Sequence, residues 1–170
     1  MAIKGIIAAS MSLLNEDLSL DIKATIKHSE KLLQDGCHYV AVFGSTGQAQ
    51  LISLDEKKKL INQLSNSNFK DKFIIGTGNN SLNDNINIIK ESLKIGVDRF
   101  LIMPPAYYKY GDEQAHSFFE NLIQKVPESK IILYNFEKLS GYKFSVQIIE
   151  KLVKNFPQQI VGVKDSSYNL

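Results

Sequence analysis

A lysine and a tyrosine stand at the ends of two apolar runs, where both side chains could act on a carbonyl compound. Lys164 follows the run 160–163, and Tyr134 ends the run 130–134. An amine in an apolar surrounding loses hydration of its charged form, so its pKa falls and the neutral amine can attack a carbonyl carbon. A nearby phenol could then shuttle protons. The plainer alternative for each residue alone is a lysine that projects into water and a core aromatic whose hydroxyl is satisfied.

Polar residues also follow the other apolar runs. These segments are 44–48 (GSTGQ), 76–80 (GTGNN) and 104–108 (PPAYY). In folds with parallel strands and helical crossovers, active sites lie beyond the carboxyl ends of the strands. The spacing therefore predicts that hydroxyls, phenols and one amine converge on a single rim.

Six short apolar runs, rich in β-branched and aromatic residues, alternate with amphipathic stretches. The runs are 3–8, 39–43, 73–75, 99–103, 130–134 and 160–163. Near-continuous apolar runs of this kind are typical of strands buried on both faces of a parallel sheet. The amphipathic stretches are 20–34, one that begins at the capping box 53–56, 83–94, 112–125 and 145–155. The pattern predicts an α/β fold in which five strand–helix units are followed by a sixth strand.

Two architectures fit this order. A doubly wound sheet would be complete at this length, whereas a (β/α)₈ TIM barrel takes about 250 residues and would lack its last two strands. Periodicity alone favours the doubly wound sheet, and the strand-end residues favour the barrel. Side chains alternate along a strand, so we expect Ile160, Gly162 and Lys164 on one face and Val161 and Val163 on the other. If the second set faces the helices, the lysine points into the barrel mouth beside the phenol of the preceding strand.

Composition excludes several classes of protein. The chain has 170 residues, 44% of them hydrophobic and 22% charged, which fits one globular domain with one core. Its net charge of +2 is spread evenly, and the one basic run, 57–59, looks like a solvated helix face, so nucleic acid binding is not expected. Cys37 is the only cysteine, which excludes an intrachain disulfide and fits a reducing compartment. No apolar run approaches the roughly 20 residues that span a bilayer, and we expect a cytoplasmic protein.

Neither the glycine-rich turns nor the histidines form a recognisable cofactor site. Segment 76–81 starts like a dinucleotide fingerprint but lacks its third glycine, and segment 44–47 lacks the lysine of a phosphate-binding loop. His28, His38 and His116 are dispersed, without the paired spacing of zinc ligands. We expect no metal site.

Four motifs together resemble the dihydrodipicolinate synthase and N-acetylneuraminate lyase family of class I aldolases. They are 44–47 (GSTG), 105–108 (PAYY), 134–141 (YNFEKLSG) and 162–167 (GVKDSS). Each is weak alone, yet they follow successive strands in the right order, and the similarity covers essentially the whole chain. The resemblance implies a (β/α)₈ barrel that uses no metal or organic cofactor. It also implies a lyase or aldolase that forms a Schiff base between a barrel lysine and a 2-oxo acid, usually pyruvate.

The resemblance also implies a role for particular residues. Lys164 would be the Schiff-base lysine, with Tyr134 relaying protons and the Ser45 hydroxyl completing the relay. The segment Ser45-Thr46-Gly47 would hold the substrate carboxylate through main-chain amides and hydroxyls. Tyr107 resembles the family tyrosine that reaches into a neighbouring subunit's site, so a homo-oligomer, commonly a tetramer in the family, is implied.

Several positions depart from the family pattern. Leu139, at a substrate-binding position, stands where the synthase branch has an arginine for the second substrate's carboxylate, and a leucine cannot pair with a carboxylate. Ser45 and Leu139 resemble the sialic acid lyase and sugar-acid aldolase branches, whereas Tyr134-Asn135 is more synthase-like. Gln48 replaces a glutamate usual after the Gly-Ser-Thr-Gly turn. The branch, and with it the substrate, stays open.

The family's barrels are longer than this chain. The resemblance therefore implies that residues 1–170 form a single incomplete (β/α)₈ domain with the first six strands and five helices. An open barrel exposes two edges of its parallel sheet and leaves its apolar interior in contact with water. We expect such a chain to be unstable or inactive alone unless a second polypeptide completes the barrel or two copies pair across the open edges. The alternative function is accordingly a non-catalytic remnant, or a subunit that needs a partner.

Overall fold

The computed structural model describes residues 3–167, in which six strands alternate with helices. The strands are β1 Ile7–Ala9, β2 Tyr39–Val42, β3 Phe73–Gly76, β4 Arg99–Ile102, β5 Lys130–Asn135 and β6 Ile160–Asp165. The helices are α1 Ile22–Gln34, α2 Leu54–Leu64, α3 Leu82–Lys94, α4 Asp112–Lys125, α5 Glu137–Ser140 and α6 Val146–Asn155. Two short 3₁₀ turns, Ala49–Leu51 and Lys70–Lys72, precede α2 and β3.

Every predicted strand and helix is present, with two differences. The short helix α5 was not predicted, so the described residues hold six α-helices and not five. Strand β1 is shorter than the run 3–8, because Gly5 adopts a φ of 104° and the Ile6 N–H donates to His38 Nδ1 (3.1 Å). Strand pairing with β2 therefore begins only at Ile7.

The six strands are all parallel and lie side by side in the order of the chain. A doubly wound sheet reverses direction at a switch point, so its strand order differs from the order of the chain. A parallel sheet in chain order, with helices between successive strands, is the wall of a (β/α)₈ barrel. The fold is therefore six strands of such a barrel, and the doubly wound alternative is wrong.

Side chains on the two faces of the sheet form separate apolar layers. The outer layer, between sheet and helices, includes from the strands Phe73, Ile75, Phe100, Ile102 and Leu133. The inner layer consists of the buried side chains Ala41, Ile74, Leu101, Ile132 and Tyr134. Alternate residues of one strand thus face opposite ways, as the pleat requires. The inner layer leads to the rim where the polar segments lie.

Four of the longer helices begin at a side chain that accepts a hydrogen bond from a first-turn amide. These N-caps are Asp21, Ser53, Ser81 and Ser145. The predicted capping box is confirmed: Ser53 Oγ accepts from the Glu56 N–H (3.3 Å), and the Ser53 N–H donates to Glu56 Oε2 (3.0 Å). Among residues 3–167, no helix has the length and apolarity needed to cross a membrane.

The inward face of α2 contains a lysine. Lys57 is fully buried and lies one turn before Leu60 and Ile61, which are also fully buried. The prediction that 57–59 form a solvated face is therefore wrong for Lys57. Its Nζ donates to the Thr77 carbonyl (2.8 Å) and to Asn79 Oδ1 (3.0 Å), beyond the end of β3.

Strand β6 contains an irregularity that changes which residues face the barrel interior. Ile160 pairs with Ile131 and Gly162 pairs with Ile132, so Val161 is an extra residue in β6. Ile160 consequently packs in the outer layer, while Val161 packs against the inner one. The predicted common face of Ile160 and Gly162 is therefore wrong.

Candidate active site

Three of the predicted catalytic side chains meet at the rim of the barrel. Tyr134 OH lies 2.9 Å from Ser45 Oγ and accepts a hydrogen bond from Lys164 Nζ at 3.4 Å. The same Nζ lies 4.4 Å from the centre of the Tyr134 ring. Tyr134 is only 4% exposed, so its phenol is held between the other two polar groups in a largely dry position. Amine, phenol and hydroxyl thus form one continuous path along which a proton can move.

The lysine and the tyrosine face each other because they occupy the same level of two neighbouring strands. Tyr134 of β5 is the Cα partner of Lys164 of β6 in the parallel ladder. Paired residues project to the same side of a sheet, so both side chains reach the inner face. The prediction that Lys164 points inwards agrees with this geometry, although it started from a misassigned Ile160.

Ser45 reaches the phenol from a tight turn after β2. Phe43 is buried with a φ of 57°, a conformation that an L-residue adopts at a cost and that often occurs at functional sites. Further along the turn, a Cβ at Gly47 would lie 3.0 Å from both Phe43 N and Ser10 O, so only glycine fits without displacement. Ser12 Oγ donates to the Gly47 carbonyl (2.6 Å) and fixes the turn from the other side. Ser45 and Thr46 remain exposed at its outer surface.

Two hollows adjoin these residues. The first, of about 290 Å³, is lined by Lys164 and by apolar side chains from all six strands: Ile7, Ala9, Ala41, Ile74, Leu101, Ile132 and Val163. The second, of about 580 Å³, lies over the turn and is lined by Ser45, Thr46, Gln48, Ala49, Gln50, Leu51, Phe136 and Leu139. Its lining contains amides and hydroxyls and no charged side chain. Leu139, supplied by α5 and 48% exposed, closes one wall.

Tyr107 lies outside this group. It belongs to the loop between β4 and α4, is 87% exposed and has a φ of 85°. Its ring meets the Tyr108 ring edge-on, with centroids 5.0 Å apart. The loop is anchored just before it, where the Ala106 N–H donates to Asn80 Oδ1 (2.9 Å). The role of Tyr107 in a neighbouring subunit's site stays a prediction.

Sequence reasoning missed two polar features near the site. The first is Lys57. Burial lowers the pKa of this lysine to about 8, although the nearby Asp84 carboxylate acts to raise the pKa. The spacing of Lys57 three and four residues before Leu60 and Ile61 was a signal that it shares their buried face.

The second missed feature is a side-chain pair next to the lysine. Asn135 Nδ2 donates to Asp165 Oδ1 at 2.7 Å, directly after the Tyr134 and Lys164 level of the ladder. Hydrogen bonds from Ser167 and Asn135 hold the pKa of the Asp165 carboxyl below its usual range. Within residues 3–167 no cluster of three or more His, Cys, Asp or Glu side chains is arranged to hold a metal ion.

Comparison with known proteins assigns the chain to a family. The dihydrodipicolinate synthetase family matches residues 2–170. An uncharacterised DapA-like lyase of Chloroflexus aurantiacus is 29% identical over 167 residues, which are 96% of this chain and 56% of that protein. The chain spans about half the length of the curated relatives it matches.

Solved structures share the fold. Dihydrodipicolinate synthase from Agrobacterium tumefaciens superposes with a TM-score of 0.91 at 28% identity, covering 97% of this chain and 59% of that one. The 2-keto 3-deoxygluconate aldolase from Picrophilus torridus superposes with a TM-score of 0.88 at 27% identity, covering 98% of this chain and 59% of that one. The Escherichia coli prophage protein YagE was solved in complex with pyruvate. It superposes with a TM-score of 0.85 at 23% identity, covering 97% of this chain and 55% of that one.

The Chloroflexus relative is named as a lyase and the Picrophilus relative as an aldolase, and the solved relatives share the fold of this chain. The match over residues 2–170 and the parallel strands in chain order agree. This chain belongs to the dihydrodipicolinate synthetase family.

Proposed function

We propose that the barrel to which this chain contributes is a lyase or aldolase that acts on a 2-oxo acid through a Schiff base on Lys164. The observation that carries the proposal is the hydrogen-bonded path from Lys164 Nζ through Tyr134 OH to Ser45 Oγ. An amine that forms an imine needs a group nearby that both supplies and removes protons. Pyruvate, present in the complex of the structural relative YagE, is the simplest such acid.

The chemistry follows from the order of these groups. The neutral Lys164 amine attacks the C2 carbonyl carbon, and the oxygen takes a proton to give a carbinolamine. Tyr134 then protonates the departing hydroxyl, which leaves as water, and the Ser45 hydroxyl stabilises the resulting phenolate by a hydrogen bond. The resulting iminium accepts the electron pair released when the C3–C4 bond of a longer 4-hydroxy-2-oxo acid breaks, while the Tyr134 phenolate takes the proton of the C4 hydroxyl. An aldehyde leaves, and Tyr134 gives that proton to C3 of the enamine. Water then hydrolyses the iminium to free pyruvate and the amine, and the proton released returns to the phenolate.

The turn after β2 supports binding of the acid's carboxylate. Ser45 and Thr46 expose hydroxyls within reach of the rim, and the close packing at Gly47 keeps the turn rigid. Hydroxyls and main-chain amides held in advance stabilise an anion without reorganising. We therefore assign carboxylate binding to the segment Ser45-Thr46-Gly47.

The hollow over this turn supports an uncharged second substrate. Leu139 and Phe136 present apolar surface there, while Gln48 and Gln50 present amides. With the hydroxyls and amides of the turn bound to the carboxylate of the 2-oxo acid, a second carboxylate would need a paired cation, and no Arg or Lys lines this hollow. We propose a neutral aldehyde, such as a sugar-derived one, as the partner of pyruvate.

Reductive trapping tests the proposal. Incubation with pyruvate and borohydride should add one reduced pyruvyl group, located by peptide mass spectrometry at Lys164. Lys164→Ala should abolish the adduct, whereas Lys154→Ala, which removes an exposed lysine of α6, should leave it unchanged. A cooperatively folded protein with no adduct at Lys164 would refute the proposal.

A second candidate function is favoured by the sheet edges. Within residues 3–167, β1 pairs only with β2 and β6 only with β5, so each has one unpaired edge, and Ile7 and Val163 are exposed there. Residues 1–170 would then act as one incomplete barrel domain, a subunit active only with a polypeptide that supplies the missing strands. The exposed Tyr107 and Tyr108 support a further contact between copies of the chain. Sedimentation and trapping on the same sample separate the candidates: a monomer that traps pyruvate contradicts the second.

A further inference from the structure

Asn135 and Asp165 form a hydrogen-bonded pair directly after the reactive level of the sheet. They are Cα partners in the β5–β6 ladder, one step beyond Tyr134 and Lys164. Asn135 Nδ2 donates to Asp165 Oδ1 at 2.7 Å. Because successive residues of a strand face opposite sides, this pair projects to the side of the sheet opposite the lysine and the phenol.

The register of β6 needs such a contact. After the extra residue Val161, β6 pairs with β5 through only four residues, Gly162 to Asp165. Gly162 has no side chain to pack, and Val163 is 41% exposed. A slip of one residue would turn Lys164 to the opposite face and remove it from the phenol. In this segment, Asp165 makes the shortest side-chain contact with β5, through its hydrogen bond from Asn135.

Asn135 also ties the ladder to the loop after α5. Its Oδ1 accepts from the Phe144 N–H (3.2 Å), and its carbonyl accepts from the Ser166 N–H (2.8 Å). Asp165 is fixed from its own side, since Oδ1 accepts from the Ser167 N–H at 3.1 Å. One buried amide thereby joins β5, β6 and the segment that leads into α6.

We propose that Asn135 and Asp165 are a positioning pair that sets the register of β6 and so aims Lys164 at Tyr134. The effect on imine formation rests on the proposed function, whereas the effect on strand register does not. Neither residue touches the reacting atoms. Their role is to hold the amine at the distance and angle that proton transfer requires.

Exchanging the two side chains tests the pair. Asn135→Asp places two carboxylates at hydrogen-bond distance and removes the donor, so β6 should loosen. The double variant Asn135→Asp, Asp165→Asn restores one donor facing one carboxylate, and the new aspartate still accepts from the Phe144 N–H. Asn121→Asp makes the same chemical change on the exposed surface of α4 and is the matched control.

Two readouts distinguish positioning from general stability. The rate of pyruvate trapping at saturating pyruvate should fall on the order of 100-fold in Asn135→Asp, as for a displaced reactive group, and recover in the double variant. Hydrogen exchange of the Ser166 amide should accelerate in the single variant and return in the double one. The control should match the wild type in both measurements.

The outcomes separate the two proposals. A single variant with wild-type trapping and exchange, or a double variant as impaired as the single one, overturns the positioning pair. If the wild type traps no pyruvate, the proposed function fails, and exchange of the Ser166 amide alone decides the register role.

Discussion

The central strands and the edge strands of this sheet are built differently. All four residues of β3 are buried, and so are the last three of β2 and β4. By contrast, all three residues of β1 and five of the six residues of β6 are partly or fully exposed. The candidate site draws on both regions: Ser45 follows the buried strand β2, Tyr134 lies in the buried strand β5, and Lys164 lies in the edge strand β6. Packing positions the first two, whereas side-chain hydrogen bonds must do more of this work for the lysine.

The largest effect on stability should come from truncating a buried side chain of the central strands. Phe100 is fully buried in β4, and truncation to alanine should lower the free energy of unfolding by about 3–5 kcal/mol, because a cavity remains where the ring was. Urea unfolding followed by circular dichroism measures this loss. A change below about 1 kcal/mol would mean that the outer layer is not closely packed.

Removing the phenol that joins the two regions should act on chemistry more than on stability. Tyr134→Phe deletes the hydroxyl that contacts both Ser45 and Lys164, and pyruvate trapping should slow by about 100-fold, as for a lost acid–base group. Tyr108→Phe, on the exposed loop, is the control and should trap at the wild-type rate. Equal rates in all three proteins would exclude Tyr134 from the proton path.

Lys57 makes the stability of the central region depend on pH. Its pKa is about 8 in the folded protein and 10.5 ordinarily, because burial disfavours the charged amine. Between these values the unfolded chain binds more protons, so stability rises with pH. Relative to Lys57→Met, the wild type should gain about 1 kcal/mol from pH 8 to pH 9. Parallel stability curves for the two proteins would show that the amine is not desolvated.

The smallest effect on stability should come from a substitution in the edge strand β6. Val163→Ala on β6 should cost less than about 1 kcal/mol, because the side chain is 41% exposed. Val42→Ala makes the same change in the buried β2 and should cost about 2 kcal/mol. Equal losses at the two positions would indicate that another polypeptide covers the edge in solution.

The sequence predicted what depends on periodicity and on strand-end chemistry. The alternation of β-branched runs with capped helices fixed the element order, and Ser45, Tyr134 and Lys164 meet as expected. Periodicity alone would have chosen a doubly wound sheet, because strand order is a tertiary property. The four strand-end motifs were needed to predict the barrel.

Three other features were missed, two because they depend on contacts distant in sequence and one because the element is short. The spacing around Lys57 indicates its buried face, but its acceptor, the Thr77 carbonyl, lies 20 residues further along the chain and cannot be identified from the residues near position 57. The extra residue Val161 appears only when β6 is aligned with β5. The short helix α5 has four residues, too few for a helical period to be recognised.

The chain-order arrangement of the strands has a consequence for synthesis. Each strand pairs with the one made just before it, so during translation its partner is already outside the ribosome. Ser45 and Tyr134 emerge before Lys164, which follows the tyrosine by 30 residues. The serine and the phenol therefore leave the ribosome before the amine, so the lysine is the last of these three groups to reach the growing sheet.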